Sequence, residues 1–200
     1  MIIGYEYPPG CHARRHGPGG YSSYESYRDW LRDEFLFRCV YCLHREAWYG
    51  RSTVFHIDHS LPVSFDPKAE CEYENLLYAC GTCNEAKRAI LNVPDPCSVA
   101  FCDCLSVLPD GHVTALNKNG EKLILALKLD NKENVEWRGR WIRILNRLKA
   151  DDPALYRECM SFPKSLPDLR AKKAPRNTKP KSVEDCFFVQ REKGTLPDTY

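Results

Sequence analysis

The sequence predicts an α+β fold, and three observations support this prediction. Four cysteines occur as two Cys-x-x-Cys pairs, a spacing that lets both pairs bind one metal ion: Cys39, Cys42, Cys80 and Cys83. Residues 52–59, between the two pairs, have strand character. Apolar residues recur at helical spacing on both sides of this region. We therefore expect strands and a helix stapled by a metal ion, with further helices packed around them.

The composition is that of an ordinary globular protein, with 43% apolar residues among 200. No apolar run approaches the roughly 18 residues of a membrane-spanning helix, and the first residues lack the basic and apolar regions of a secretory signal. We therefore expect a cytoplasmic protein that does not bind membranes. In a reducing compartment, its 11 cysteines indicate metal ligands before disulfides. The net charge of +2 is too small to indicate a nucleic-acid partner by itself.

Residues 1–21 are predicted to be an irregular basic arm, because proline and glycine are frequent there. Its basic side chains either belong to an unspecialised arm or contact phosphate groups: His12, Arg14, Arg15 and His16. Residues 22–37 are predicted to form a helix. Ser22 and Glu25 fit a capping box at its start, and its aromatic face is expected in the core.

Residues 22–95 contain both cysteine pairs and form the predicted core. The strand at 52–59 is expected to end near Pro62. Residues 72–92 show a helical pattern that a glycine turn interrupts, so a second helix is expected to begin near Asn84.

Residues 96–162 are predicted to extend this core. A β-hairpin is expected over 105–116, because the Asp-Gly dipeptide at 110–111 suits a tight turn. A short helix over 121–129 and a stronger one over 131–149 are expected to follow.

Residues 163–200 are predicted to be a basic, proline-rich tail with little capacity to form a core of its own. Its basic residues belong either to a solvated linker or to a strap that neutralises phosphates: Lys172, Lys173, Arg176, Lys179 and Lys181. A third alternative is that residues 183–189, which are apolar, dock on the domain or on a partner subunit.

The two cysteine pairs supply the four thiolates of a closed, structural Zn²⁺ site. The 37 residues between them, 43–79, exceed the insert of a small zinc ribbon, so we expect them to carry function. Asp58 and His59 stand at the end of the predicted strand. Neighbouring strand residues point to opposite faces, so these two can serve one site only where the strand ends.

The residue types at this position suit hydrolysis of a phosphodiester bond. A neutral His59 can accept a proton from water, because imidazole titrates near physiological pH. Asp58 offers a carboxylate oxygen of the kind that Mg²⁺ and Mn²⁺ prefer. Asn84, directly after the second cysteine pair, can supply a further oxygen ligand. A bound cation of this kind stabilises the charge that develops on the phosphate and on the leaving oxygen.

Over residues 35–95 the sequence resembles the zinc-bearing HNH endonucleases. Their pattern runs Cys-x-x-Cys, Asp-His-x-x-Pro, Asn-Leu, Cys-x-x-Cys-Asn-x-x-Lys. Every element is present in order: Cys39, Cys42, Asp58, His59, Pro62, Asn75, Leu76, Cys80, Cys83, Asn84 and Lys87. The resemblance implies a ββα-metal core, with a hairpin that ends in Asp58 and His59 and a helix that carries Asn84.

The same resemblance implies a role for each site residue. His59 is the catalytic base, and Asn75 is a catalytic residue that holds the hairpin loop and orients His59. Asp58 and Asn84 are ligands of a catalytic Mg²⁺ or Mn²⁺. The implied activity is endonucleolytic cleavage of DNA that leaves a 5′-phosphate and a 3′-hydroxyl.

Several further residues have two interpretations. His56 either contacts metal or phosphate or is a packing histidine, and Lys87 and Arg88 are either phosphate contacts or solvated helix charges. Four other residues either form a second zinc site or are three free thiols and an unrelated imidazole: Cys97, Cys102, Cys104 and His112.

Two rival functions are an RNA-directed nuclease and a zinc-dependent nucleic-acid-binding module without catalysis, which has no need of Asp58, His59 or Asn84. The run at 73–80 and the Asp-Pro-Cys segment at 95–97 also resemble, more weakly, HNH nucleases of prokaryotic anti-phage defence. In Septu-type systems such a nuclease works beside an ATPase subunit, so this weaker resemblance implies an antiviral role and an ATPase partner.

Overall fold

A computed structural model describes residues 2–50, 52–172, 175 and 179–200 of the chain. Lys173 and Arg176 of the predicted basic tail lie outside the described residues.

The described residues form four short strands and seven α-helices, which confirms the predicted α+β class. The strands are β1 (Phe55–His59), β2 (Leu76–Cys80), β3 (Leu105–Val107) and β4 (Val113–Ala115). The helices are α1 (Arg28–Glu34), α2 (Glu46–Tyr49), α3 (Gly81–Lys87), α4 (Lys118–Leu127), α5 (Lys132–Asp151), α6 (Pro153–Met160) and α7 (Phe187–Glu192). No helix in this described part combines the length and apolarity needed to cross a membrane.

The centre of the molecule is a ββα unit, as predicted. Strands β1 and β2 pair antiparallel, with Phe55 opposite Cys80 and His59 opposite Leu76. Helix α3 begins at Gly81, directly after β2. The register therefore places the second cysteine pair at one end of the hairpin and His59 at the other.

The prediction of a helical pattern from residue 72 is wrong for 76–80, which form β2. All five residues of this strand are buried. A strand buried on both faces lacks the polar–apolar alternation that distinguishes it from a buried helix. The predicted first strand is also shorter, because Ser52–Val54 form a 3-10 turn before β1.

The first predicted helix is two elements, a 3-10 turn at Tyr24–Tyr27 followed by α1. The capping-box prediction is wrong, because Ser23 occupies the N-cap position and its side chain accepts no capping hydrogen bond. The prediction that the aromatic face is core is confirmed by Tyr27 and Trp30, which are fully buried.

The extension follows its prediction closely. Strands β3 and β4 form the expected hairpin, with Leu105 opposite Ala115. Gly111 in its turn has a φ of +99° and lies against the backbone of Val135 and Gly139, a place where a side chain would not fit. Asn131 caps α5 by accepting a hydrogen bond from the backbone N–H of Asn134 at 2.8 Å.

The N-terminal arm is docked on α1 and on the segment that leads into β2. His12 Nε2 lies 2.9 Å from a Glu34 carboxylate oxygen, and His16 Nε2 lies 2.9 Å from one of Asp33. Arg14 donates to the backbone carbonyl of Leu76 at 2.7 Å. The imidazoles and Arg14 are thus bound within the protein, so the alternative of a phosphate-contacting arm is not favoured.

Residues 179–200 dock on the domain. Phe187 packs against Phe37 and Phe162, and its backbone N–H donates to Asp33 Oδ2 at 2.9 Å. Cys186 and Val189 are buried as well. Of the three alternatives for the tail, the structure therefore favours docking of the 183–189 segment over a solvated linker.

Candidate active site and metal centre

Four buried cysteines converge where the turn after α1 meets the junction of β2 and α3. The Sγ atoms of Cys39, Cys42, Cys80 and Cys83 all lie within 4.8 Å of one another. The first pair sits in a tight turn, where the Cys39 N–H donates to the His44 carbonyl at 2.8 Å. The Val40 N–H donates to the Tyr78 carbonyl at 3.0 Å, which fastens this turn to β2. The second pair spans the end of β2 and the first turn of α3.

The chemistry of this cluster suits a metal ion. Hydrogen bonds from the other three thiols hold the pKa of Cys80 well below its ordinary value. A buried thiolate needs a cation, and four thiolates at this spacing are the donor set of a tetrahedral zinc site. Among the described residues, this is the group of cysteine, histidine and acidic side chains that is positioned to bind a metal.

The structure does not assemble the second zinc site. His112 Nδ1 lies 3.0 Å from an Asp130 carboxylate oxygen, and the Cys102 thiol donates to Asp103 at 3.5 Å. Cys104 is buried and is not part of a metal-binding group. The alternative of free thiols is therefore favoured.

Asp58, the fourth residue of β1, is buried and receives two hydrogen bonds. The Tyr41 hydroxyl donates to Oδ2 at 2.5 Å, and Lys87 Nζ donates to Oδ1 at 3.0 Å. Burial raises the pKa of Asp58, and the neighbouring Lys87 charge and Tyr41 hydroxyl oppose that rise. A carboxylate offers about four lone-pair positions, so two hydrogen bonds leave lone pairs available to coordinate a cation.

Lys87 joins the two last residues of β1. Its Nζ also donates to the backbone carbonyl of His59 at 2.6 Å, and its side chain is only 1% exposed. The buried Lys87 ammonium binds Asp58 and His59, so the structure favours neither a phosphate contact nor a solvated helix charge for this residue. It holds the strand end at which Asp58 and His59 meet.

The ring of His59 has a defined tautomer. Its Nε2 lies 2.9 Å from the backbone carbonyl oxygen of Glu70. A carbonyl can only accept, so Nε2 carries the proton and Nδ1 keeps a free lone pair when the ring is neutral. The ring of Tyr24 packs edge-on against His59, with centroids 5.0 Å apart.

Asn75 binds the loop that follows His59. Its Oδ1 accepts from the Leu61 N–H at 2.7 Å, and its Nδ2 donates to the carbonyls of Leu61 and Ala69, both at 3.0 Å. Because Ala69 precedes Glu70, this amide fixes the segment whose carbonyl holds His59. Arg14 braces the same place, since it donates to the carbonyls on either side of Asn75.

These groups border one open cleft between β1 and α3. Asp58, His59, Asn84 and Arg88 all line it. Arg88 is exposed, with 76% of its side chain accessible. His56 is exposed but is not among the described residues that line the cleft, and it lies against Gly81 at the start of α3.

Two residues of this site were not predicted from the sequence. Tyr41 is one of the two residues between Cys39 and Cys42, and its position in that turn was the available signal for a role near the metal centre. Tyr24 belongs to a regular aromatic pattern that indicates core, so its sequence gives no signal of contact with His59.

Comparison with known families agrees with this geometry. Residues 39–89 match the family model described as HNH endonuclease. No curated protein is a significant match to the chain. The matched segment begins at Cys39 and includes both cysteine pairs and every residue of the cleft described above except Tyr24. Residues 39–89 are therefore an HNH endonuclease domain whose four cysteines are positioned to bind a metal ion.

Proposed function

We propose that this protein is a metal-dependent endonuclease that hydrolyses phosphodiester bonds in DNA. The observation that carries the proposal is the cleft itself, where an imidazole with a free Nδ1 lies beside two oxygen-bearing side chains, Asp58 and Asn84. An HNH domain implies action on nucleic acid. The choice of DNA over RNA comes from the sequence resemblance.

In this proposal His59 is the general base. Its Nδ1 accepts a proton from the attacking water, while the hydrogen bond from Nε2 to Glu70 fixes the ring plane. Asn75 acts on His59 indirectly, because it binds the loop that contains the Glu70 carbonyl. It is thus a positioning residue for His59.

Asp58 and Asn84 are the residues that would hold Mg²⁺ or Mn²⁺. Both offer the hard oxygen donors that these ions prefer, and both face the same cleft. When bound, the cation polarises the scissile phosphate and stabilises the departing oxygen. Tyr41 and Lys87 keep the Asp58 carboxylate in one orientation at the strand end.

The four-cysteine cluster is proposed to hold a structural Zn²⁺. Four protein ligands close the coordination sphere, which leaves no position for a reacting group. The ion would join the turn at Cys39 to the junction of β2 and α3, and so support the cleft without taking part in the reaction.

An antiviral role beside an ATPase subunit is proposed on the sequence resemblance alone. Co-purification of a tagged chain from its native cells is the direct check. A stable ATPase partner supports the role, and recovery of the chain without an ATPase contradicts that part of the proposal.

The activity is tested by incubating purified protein with plasmid, linear duplex DNA, single-stranded DNA and RNA, each with Mg²⁺, Mn²⁺ or EDTA. We expect DNA cleavage with either metal and none with EDTA, and products that carry 5′-phosphates. Cleavage of RNA alone would overturn the assignment of DNA. No cleavage of any substrate with either metal would contradict the enzymatic proposal.

A further inference from the structure

A second groove lies between α3 and the junction of α4 with α5, and its walls include Thr82, Lys128, Asn131 and Asn134. Glu85 and Arg88 line both the cleft and this groove. Because two residues are shared, the groove and the cleft are neighbours on the surface of α3.

The backbone at the far wall of the groove is firmly held. The Asn134 side chain donates to the Lys128 carbonyl at 2.8 Å, and the Asn131 N–H donates to the same carbonyl at 3.2 Å. Lys128 ends α4 in the left-handed region, with a φ of +51°. The exposed side chain of Lys128 thus extends from a fixed backbone position, and no ion pair of Lys128 is found among the described residues.

Two basic residues of the groove and the cleft suit an extended polyanion. Lys128 lines the groove, and Arg88 lines both the groove and the cleft. The guanidinium of Arg88 is 3.8 Å from the Glu85 carboxylate, and both side chains are more than three-quarters exposed. Such an exposed pair is weak, so Arg88 can exchange Glu85 for a phosphate at little cost.

We propose that this groove binds the sugar–phosphate backbone of the nucleic acid on one side of the phosphate that is cleaved, with Lys128 and Arg88 as phosphate contacts. The inference rests on the proposed function, because it takes the cleft as the place of the scissile phosphate. Contacts of this kind fix the path of the strand and carry no sequence information. Glu85 stands beside that path as a repelling charge.

The test uses three full-length variants that change only charge: Lys128→Gln, Glu85→Gln and, as the matched control, Lys149→Gln. Lys149 is an exposed lysine near the other end of α5, about 27 Å from Asn131 at the helical rise of about 1.5 Å per residue. Affinity for one linear DNA duplex is measured without Mg²⁺ or Mn²⁺ at several salt concentrations. Thermal melts check that every variant is folded.

We expect Lys128→Gln to weaken binding several-fold and to reduce the slope of log affinity against log salt by roughly one. Glu85→Gln should strengthen binding, and Lys149→Gln should match the wild type. Equal effects of Lys128→Gln and Lys149→Gln, or no effect of Lys128→Gln, would contradict the proposal that the groove binds DNA. Failure of the wild-type protein to bind the duplex would overturn it as well.

Cleavage by the same wild-type preparation in Mn²⁺ separates this inference from the proposed function. If the wild type cleaves DNA while Lys128→Gln binds DNA normally, the proposed role of the groove is wrong and the proposed nuclease activity is supported. If the charge variants behave as expected but no substrate is cleaved, the groove is supported as a DNA-binding surface and the proposed nuclease activity is contradicted.

Discussion

Asp58 and His59 are adjacent in sequence, and whether both side chains can serve one site depends on the backbone at the end of β1. Lys87 bonds to the Asp58 carboxylate and to the His59 carbonyl, so one ammonium group fixes both residues. Leaving a buried carboxylate without this partner would cost about 3–5 kcal/mol. At the scale of single residues, the site is therefore a pre-oriented pair whose geometry comes from α3 and from the first cysteine turn.

Tyr41→Phe tests whether that cysteine turn supports the Asp58 carboxylate. The variant keeps the ring beside Phe101 and removes the donor to Oδ2. Loss of a hydrogen bond to a charged group typically costs about 1.5–3 kcal/mol, so we expect a stability loss of that order. The Mn²⁺ concentration that gives half-maximal cleavage should also rise several-fold, because the carboxylate is less well oriented.

Tyr49→Phe is the matched control, since its hydroxyl bonds to His44 at 3.1 Å and not to Asp58. It should lower stability without a change in the metal requirement. A Tyr41→Phe variant with the metal requirement of the wild type would show that Tyr41 has only a structural role.

At the scale of elements, the ββα unit is too small to be stable without support. Its strands have five residues each and α3 has seven. Hairpins and helices of this length are marginal in isolation. A metal ion bound by Cys39, Cys42, Cys80 and Cys83 would close the long insert and hold α3 against β2.

Cys80→Ser should therefore unfold or strongly destabilise the domain, because zinc binding at a structural site is coupled to folding. We expect a clear fall in melting temperature and loss of bound zinc, with activity lost through unfolding. Cys11→Ser is the control, since Cys11 is exposed and outside the cluster. One zinc per chain and a wild-type melt in Cys80→Ser would contradict the four-cysteine assignment.

The elements also show how far the sequence could predict the site. Cysteine spacing predicted the metal cluster, because two thiols separated by two residues in one turn can reach one ion. Strand β2 was missed, because its five buried residues show no alternation. The Lys87–Asp58 pair was missed because it depends on the packing of α3 against β1, which local pattern does not encode.

At the scale of the whole molecule, the arm and the tail meet on α1. Asp33 accepts from the Phe187 N–H of the tail, and Glu34 accepts from the Arg15 and His16 N–H groups of the arm. These contacts join positions 18 to 154 residues apart, which explains why composition alone suggested loose, solvated segments.

Glu34 makes this junction sensitive to acid. Burial would raise its pKa, but hydrogen bonds from His12, the Arg15 N–H and Tyr73 outweigh that effect and lower the pKa from 4.5 to about 2. A carboxyl with a depressed folded pKa stabilises the fold above its unfolded pKa, and this stability is lost as pH falls from 4.5 towards 2. The shift corresponds to about 3 kcal/mol at neutral pH.

Glu34→Gln should lower the free energy of unfolding at pH 7 and flatten its decline between pH 4.5 and pH 2. Denaturant unfolding at pH 7 and pH 3 measures both effects. Glu25→Gln, at an exposed glutamate, should leave the pH dependence unchanged. Equal pH dependence of wild type and Glu34→Gln would show that the junction does not depend on this charge.

The central claim is that the cleft around His59 hydrolyses DNA with His59 as the general base. It is tested most directly by the initial rate of plasmid cleavage in Mn²⁺ for wild type and His59→Ala, with zinc content and thermal melts of both proteins. We predict that the rate falls about 100- to 10,000-fold, the usual cost of losing a general base. Zinc content and fold should be unchanged, since His59 is outside the cysteine cluster. A His59→Ala protein that cleaves plasmid at the wild-type rate would contradict the account.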